Sequence, residues 1–122
     1  MRMMTELVAC LSTGKGSWNY INKLIKSYEW DNIFLITNEF GYENFNPEKK
    51  VEMIVVDTNK NLEELREEII SKLKGRIKGT EIALNLISGS GKEHMALLSS
   101  LLKIGVGVRF VDLDEESRVK EV

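Results

Sequence analysis

Apolar residues along the chain fall into five short, continuous runs that polar turns and longer amphipathic segments separate. The runs cover residues 7–11, 32–37, 51–57, 81–87 and 105–111. Runs of four to eight mostly apolar residues, rich in valine, isoleucine and leucine, are typical of strands that are buried on both faces of a parallel sheet. The pattern therefore predicts five buried strands.

Three amphipathic segments lie between these runs, and the spacing of their apolar residues predicts helices. The first begins at Trp18, with Ser17 as its expected N-cap, and the second follows Asn61, which is also an expected N-cap. The third follows a glycine–serine turn and runs to Leu102. The connection over residues 38–47 is predicted to be irregular.

The alternation of strands and helices favours an α/β fold with three layers. We expect a Rossmann-like open parallel sheet of about five strands in the order 3-2-1-4-5, with helices on both faces. A single domain is expected over residues 1–113, and residues 114–122 are expected to form a charged tail. Such sheets bind ligands outside the carboxyl ends of the strands, where the winding reverses between strands one and four.

Composition narrows the classes of protein that this fold can belong to. Of the 122 residues, 43% are hydrophobic and 30% are charged, which is typical of a globular domain. No apolar run approaches the length of about 20 residues that a membrane span needs, and the start lacks a secretory signal. We expect a cytoplasmic protein, because the first residues do not resemble a secretory signal and Cys10 is the single cysteine. A net charge of −2 argues against duplex DNA as a partner.

Two turns of similar chemistry follow strands one and four, which are neighbours in the predicted order. Glycines permit tight turns, and the free amides at a helix start attract anions, as does a nearby lysine. We therefore expect an anion site where the turns meet. The candidates are Ser12, Thr13, Gly14, Lys15, Gly16 and Ser17 in the first turn, and Ser88, Gly89, Ser90, Gly91 and Lys92 in the second.

Known nucleotide and metal motifs do not match these turns. A P-loop requires a glycine where this chain has Leu86, and a hydroxyl residue where it has Glu93. The G-x-G-x-x-G spacing of dinucleotide-binding proteins is also missing. His94 is the only histidine, and no histidine–carboxylate cluster has metal-ligand spacing. We therefore expect neither a metal nor a cofactor, and neither an NTPase nor a dehydrogenase.

Several candidate residues have a purely structural alternative. Ser12, Thr13 and Ser17 can serve only as turn and helix caps, Lys92 as a solvated lysine and His94 as a surface residue. Trp18 is expected either in the core or as a base-stacking surface. Asn38 is a weaker candidate for ligand contact. The aromatic residues at positions 40, 42 and 45 form either a lid or an anchor, and the apolar residues at 95, 98, 101 and 102 belong to the core or a dimer interface.

The second turn and the helix after it resemble the CRISPR-associated Rossmann-fold (CARF) family. The turn over residues 88–92 precedes a helix rich in methionine, alanine and leucine, and Ser12, Thr13 and Gly14 match the other ligand-binding loop of that family. The family usually has glycine and threonine where this chain has Ser90 and Gly91, so a hydroxyl is displaced by one position.

The resemblance implies a homodimer that binds a cyclic oligoadenylate across its two-fold axis in CRISPR antiviral signalling. A stand-alone ring nuclease would cleave this ligand without metal, by attack of a ribose 2′-hydroxyl on the adjacent phosphorus. Ser12 and Lys92 are then the expected catalytic residues, Lys92 stabilising phosphoryl charge. The alternative is a non-catalytic sensor of that ligand, or of another nucleotide, acting through a partner or an effector domain. The expected ligand-binding residues are Thr13, Gly14, Lys15, Gly16, Ser17, Asn38, Ser88, Gly89, Ser90, Gly91 and His94.

Overall fold

Strands and helices alternate along the chain in the computed structural model, which describes residues 5–122. The first half contains β1 (Glu6–Cys10), a 3₁₀ turn (Lys15–Ser17), α1 (Trp18–Lys26), β2 (Asn32–Thr37), α2 (Glu39–Asn44) and β3 (Glu52–Val55). The second half contains α3 (Leu62–Leu73), β4 (Glu81–Asn85), α4 (Gly91–Ile104), β5 (Gly107–Leu113) and β6 (Val119–Glu121).

The six strands form one sheet in the order β3-β2-β1-β4-β5-β6. Strands β1 to β5 are parallel to their neighbours, so the predicted order 3-2-1-4-5 is confirmed. Strand β6 is antiparallel to β5 and lies within the segment that was expected to be a charged tail. It carries one apolar residue that packs against the core, Val119, which is too little for a strand to be predicted from the pattern.

Two hydrophobic clusters lie on opposite faces of the sheet, which makes the fold a three-layer sandwich. On one face, α3 and α4 contribute Leu65 and Leu97, which pack with Phe34 of β2. On the other face, α1 contributes Ile21, which packs with Leu35 of β2. Neighbouring residues of β2 are therefore buried on opposite faces, which is why this strand was recognisable as a continuous apolar run. The prediction of five buried strands was wrong for β5, of which no residue is buried. Strand β5 lies near the edge of the sheet, where only the three-residue β6 is beyond it.

Two local expectations were wrong, and a third is confirmed. The connection after β2 is not wholly irregular, because Asn38 caps α2 by accepting a bond from the Gly41 amide at 3.1 Å. Ser17 makes no capping bond, because the 3₁₀ turn leads directly into α1 and the Ser17 hydroxyl has another partner. Asn61 does cap α3, accepting from the Glu64 amide at 2.9 Å.

Over residues 5–122, the helices are too short or too polar for any of them to cross a membrane.

Candidate functional site

The two glycine–serine turns lie side by side at the carboxyl ends of β1 and β4, which are paired in parallel. The Ser12 amide donates to the side-chain oxygen of Ser88 at 2.8 Å, and the hydroxyl oxygens of Ser17 and Ser88 are 2.6 Å apart. These bonds join positions 71 and 76 residues apart in the sequence. The structure thus brings the two predicted turns together at the reversal of winding.

Three serine hydroxyls form a chain across this contact. The Ser12 hydroxyl donates to the carbonyl of Gly14 at 2.8 Å, so its proton is already used. Its oxygen is 3.4 Å from the Ser17 hydroxyl, which can donate to it while Ser88 donates to Ser17. Ser88 is 1% exposed and bridges the turns, whereas Ser12 and Ser17 are both half-buried. Ser12 and Ser17 are therefore better placed than Ser88 to meet a ligand.

A capping box closes the start of α4. The Ser90 side chain accepts from the Glu93 amide at 3.3 Å, and the Ser90 amide donates to the Glu93 carboxylate at 3.2 Å. Two amides at this end are therefore satisfied by the protein, and the Glu93 charge offsets part of the positive helix dipole. The amides of Gly91 and Lys92 still lie in the first turn, where no intrahelical acceptor exists. The spacing of Ser90 and Glu93 is a sequence signal for this motif, which was not among the predictions.

Gly89 closes the second turn against β1. Its φ of +104° lies in the left-handed region, and an added Cβ would be 3.1 Å from Cys10, Glu93 and His94 side-chain atoms. Gly91, by contrast, has no atom within 4 Å of such a Cβ. Gly89 therefore determines the shape of the turn, whereas the space beside Gly91 is open.

Lys92 and His94 contact different parts of the structure. The Lys92 ammonium donates to the carbonyl of Lys60, in the loop between β3 and α3, at 2.8 Å. The His94 Nε2 is 2.8 Å from the carbonyl of Ser88. Because a carbonyl only accepts, Nε2 carries the proton in this contact, and the lone pair of a neutral ring is on Nδ1. His94 thus stabilises the second turn through the Ser88 carbonyl, whereas Lys92 is directed towards the loop that precedes α3.

The remaining predicted residues form the exposed tip of the first turn and its flank. Thr13, Gly14, Lys15 and Gly16 are exposed. The Lys15 ammonium is 5.9 Å from the ring centroids of both Trp18 and Phe40. Trp18 is half-buried and its indole N–H donates to the Ser12 carbonyl at 2.9 Å. Asn38 follows β2, the strand beside β1, and its side-chain oxygen is occupied by the α2 cap.

A polar network that was not predicted lies at the ends of β4 and β5. The Asn85 amide donates to the Tyr20 hydroxyl and to the Val111 carbonyl, each at 2.9 Å. The Tyr20 hydroxyl donates to Asp112, and that bond holds the pKa of Asp112 below its usual range. Burial, and then the bond to Asp112, raises the pKa of Tyr20 to about 12. The network holds the end of β4, from which the Ser88 turn leaves.

Among the described residues, this site contains neither a reactive thiol nor a cluster of metal ligands. Burial, reinforced by the charge of Glu93, raises the pKa of the Cys10 thiol to about 12, so the nucleophilic thiolate is not formed at neutral pH. Within the described part of the chain, no group of three histidine, cysteine or acidic residues is placed to hold a metal ion.

Comparison with known proteins supports the fold but leaves the activity open. No family model matches the chain, and no curated protein matches it. The solved structure of Enterococcus italicus Csm6 bound to cyclic hexa-2′-fluoro-hexa-dAMP matches with a TM-score of 0.62 and 11% sequence identity. The match covers 99% of this chain and 42% of that one, so this chain spans less than half of the Csm6 length. Likeness at this identity shows a shared fold.

The strand order defines a Rossmann-like α/β domain, and its fold is similar to that of Csm6. The expected resemblance is confirmed at the level of the fold, by the strand order and by the match to Csm6.

Proposed function

We propose that this protein binds a cyclic oligoadenylate across the two-fold axis of a homodimer. The observation that carries the proposal is the contact of the Ser12 turn with the Ser88 turn, at the edge of the sheet where such folds bind ligands. A protein of the same fold, Csm6, was solved with a cyclic hexanucleotide analogue bound.

Two lysines supply the positive charge that a ring of phosphates requires. Lys15 is at the exposed tip of the first turn, and Lys92 is at the start of α4. The bond from Lys92 to the Lys60 carbonyl is exposed to solvent and has one charged partner, whereas a bond from Lys92 to phosphate has two and is stronger. Lys92 can therefore exchange this carbonyl for a phosphate oxygen when the ligand binds. The amides of Gly91 and Lys92 add two donors beside it.

An exposed apolar face of α4 supports the homodimer. Met95 and Leu102 are 62% and 66% exposed, and they are seven residues apart, so they lie on one side of the helix. Ile87, next to the second turn, is 58% exposed. Pairing this face about a two-fold axis buries all three side chains and brings the Ser88 turns of both protomers together, which creates one pocket large enough for a ring.

Ring opening without metal is the catalytic form of the proposal. A ribose 2′-oxygen attacks the adjacent phosphorus and the 5′-oxygen leaves, which produces a 2′,3′-cyclic phosphate and a 5′-hydroxyl. Ser12 orients the attacking hydroxyl, and Lys92 stabilises charge on the phosphoryl oxygens. His94 donates its Nε2–H to the Ser88 carbonyl, so Nε2 does not serve as the general base. The proposal assigns no strong general base, and slow turnover is expected.

A non-catalytic sensor is the second candidate, and the contacts of Lys92 and Glu93 favour it. Lys92 is directed to the Lys60 carbonyl, and the capping box occupies the Ser90 amide, one of the amides of the predicted anion site. A site with these contacts can hold a ring without opening it. Such a module would act through a partner or through an effector domain.

Incubation with cyclic tetra- and hexa-adenylate in the presence of EDTA separates these candidates. Linear products on chromatography identify a ring nuclease. An intact ring, together with a raised melting temperature of the protein, identifies a sensor. If neither ring is bound or cleaved, the proposed function is overturned. Lys92→Ala should weaken binding about tenfold through loss of a charged contact. Lys103→Ala, at the opposite end of α4, is the matched control.

A further inference from the structure

A surface cavity of about 420 Å³ lies beside the first turn, at the carboxyl ends of β2 and β3. Cavities of about 300–1,000 Å³ suit small molecules, so this one can hold a nucleoside. Phe40 of α2 forms part of its wall, and Asn38, Asp57 and Asn59 provide polar groups at its rim. The cavity is distinct from the contact between the Ser12 and Ser88 turns.

Phe40 lies between this cavity and the first glycine–serine turn, which is part of the predicted anion site. Its ring centroid is 6.1 Å from that of Trp18, whose indole N–H is bonded to the Ser12 carbonyl. The Lys15 ammonium is 5.9 Å from the Phe40 centroid. Phe40 is nevertheless 43% exposed, so part of its ring is accessible to a ligand. An exposed, positioned ring offers a flat surface on which a base can stack.

The charges around Phe40 favour the base of a nucleotide in the cavity and its phosphate at the first turn. Glu39 and Asp57 line the cavity and are exposed, so they repel a phosphate there. Glu68 and Lys72 also line it, but they are paired with each other at 3.0 Å, and Glu68 is paired with Lys60 as well. The cation Lys15 is close to the ring of Phe40 and belongs to the Ser12 turn. A neutral base therefore suits the cavity, and a phosphate suits the turn.

We propose that this cavity binds an adenine base of the ligand, stacked on Phe40, while the adjoining phosphate contacts the turn that contains Lys15. The inference rests on the proposed function, since it locates one base of the same cyclic oligoadenylate. Phe40 is then a determinant of affinity that the turn residues alone do not supply.

Fluorescence of 2-aminopurine tests this stacking. The probe is cyclic tetra-adenylate in which one adenosine is replaced by 2-aminopurine riboside, whose emission is quenched when it stacks on an aromatic ring. Wild type should bind the probe and quench it. Phe40→Ala should weaken binding about 5- to 150-fold, as removal of one base–aromatic stack does, and should reduce the quenching at saturation. Phe40→Trp should retain both.

Tyr42→Ala is the matched control, because Tyr42 is on the same helix, is 55% exposed and does not line the cavity. It should bind and quench as wild type does. If Phe40→Ala, folded by circular dichroism, binds and quenches like wild type, the base site is overturned while the proposed function stands. If wild type itself binds neither the probe nor unmodified cyclic tetra- or hexa-adenylate, the proposed function is overturned and the base site with it.

Discussion

At the scale of single residues, Ser88 joins three segments of the chain. Its side-chain oxygen accepts from the Ser12 amide and contacts the Ser17 hydroxyl, and its carbonyl contacts His94. Ser88 was predicted as a site residue from its position in a glycine–serine turn. Its hydrogen-bond partners in the first turn were not predicted, because they are more than 70 residues away in the sequence. Glu6 is a similar case, since its buried carboxylate binds amides at positions 78 and 79.

Gly89→Ala should lower stability by about 1–3 kcal/mol, the cost of holding a non-glycine residue in a sparsely populated backbone region. Its φ of +104° and the three atoms 3.1 Å from an added Cβ both oppose the substitution. Gly91→Ala is the control, because Gly91 is helical and the space beside it is open. It should be neutral or stabilising, by up to about 1 kcal/mol. Urea unfolding measures both, and equal stabilities would refute the importance of Gly89.

Tyr20→Phe should make stability depend differently on pH. The variant removes the hydroxyl that lowers the pKa of Asp112, at a cost of about 1 kcal/mol near neutral pH. A depressed carboxyl pKa stabilises the fold above the unfolded pKa of about 4, and this contribution is lost as pH falls through the folded value. The difference between wild type and Tyr20→Phe should therefore shrink below about pH 4. Urea unfolding between pH 3 and 8 measures it, and a constant difference would contradict this assignment.

At the scale of elements, α4 has two roles at once. Its first turn forms part of the candidate site, and one of its faces leaves Met95 and Leu102 in solvent, while Leu97 and Leu101 are fully buried. The amphipathic pattern predicted this helix, but apolar residues on both sides of it could not be divided between core and interface from the sequence. Of the four residues predicted for the core or an interface, Leu101 is buried, Leu98 is half-buried, and Met95 and Leu102 are exposed.

Replacing the exposed apolar residues of α4 should abolish the proposed dimer. The double variant Met95→Glu, Leu102→Glu places four like charges at a two-fold interface, so it should run as a monomer in size exclusion with light scattering. Leu62→Glu is the control, because Leu62 is 37% exposed at the start of α3, outside this face. The control should retain the mass of wild type. A dimer that persists in the double variant would place the interface elsewhere.

At the scale of the whole molecule, the strand order followed from the alternation of apolar runs with amphipathic helices, together with right-handed crossovers and one reversal of winding. The short elements α2 and β6 were not predicted from the sequence. Helix α2 is six residues long and depends on the Asn38 cap, and β6 depends on pairing with β5. The meeting of the two turns was predictable from the strand order alone. The direction of Lys92 and the cavity beside Phe40 depend on side-chain placement, which a single sequence does not specify.

Isothermal titration calorimetry with cyclic tetra- and hexa-adenylate tests whether a dimer of this protein binds a cyclic ligand. We expect saturable binding of at least one ring, with one ring bound per two chains, because the proposed pocket is formed by the turns of both protomers. Linear oligoadenylate of the same length should bind more weakly, since it must lose conformational freedom to adopt the shape of the ring. If neither ring binds, or if one ring binds per chain, the shared pocket is refuted.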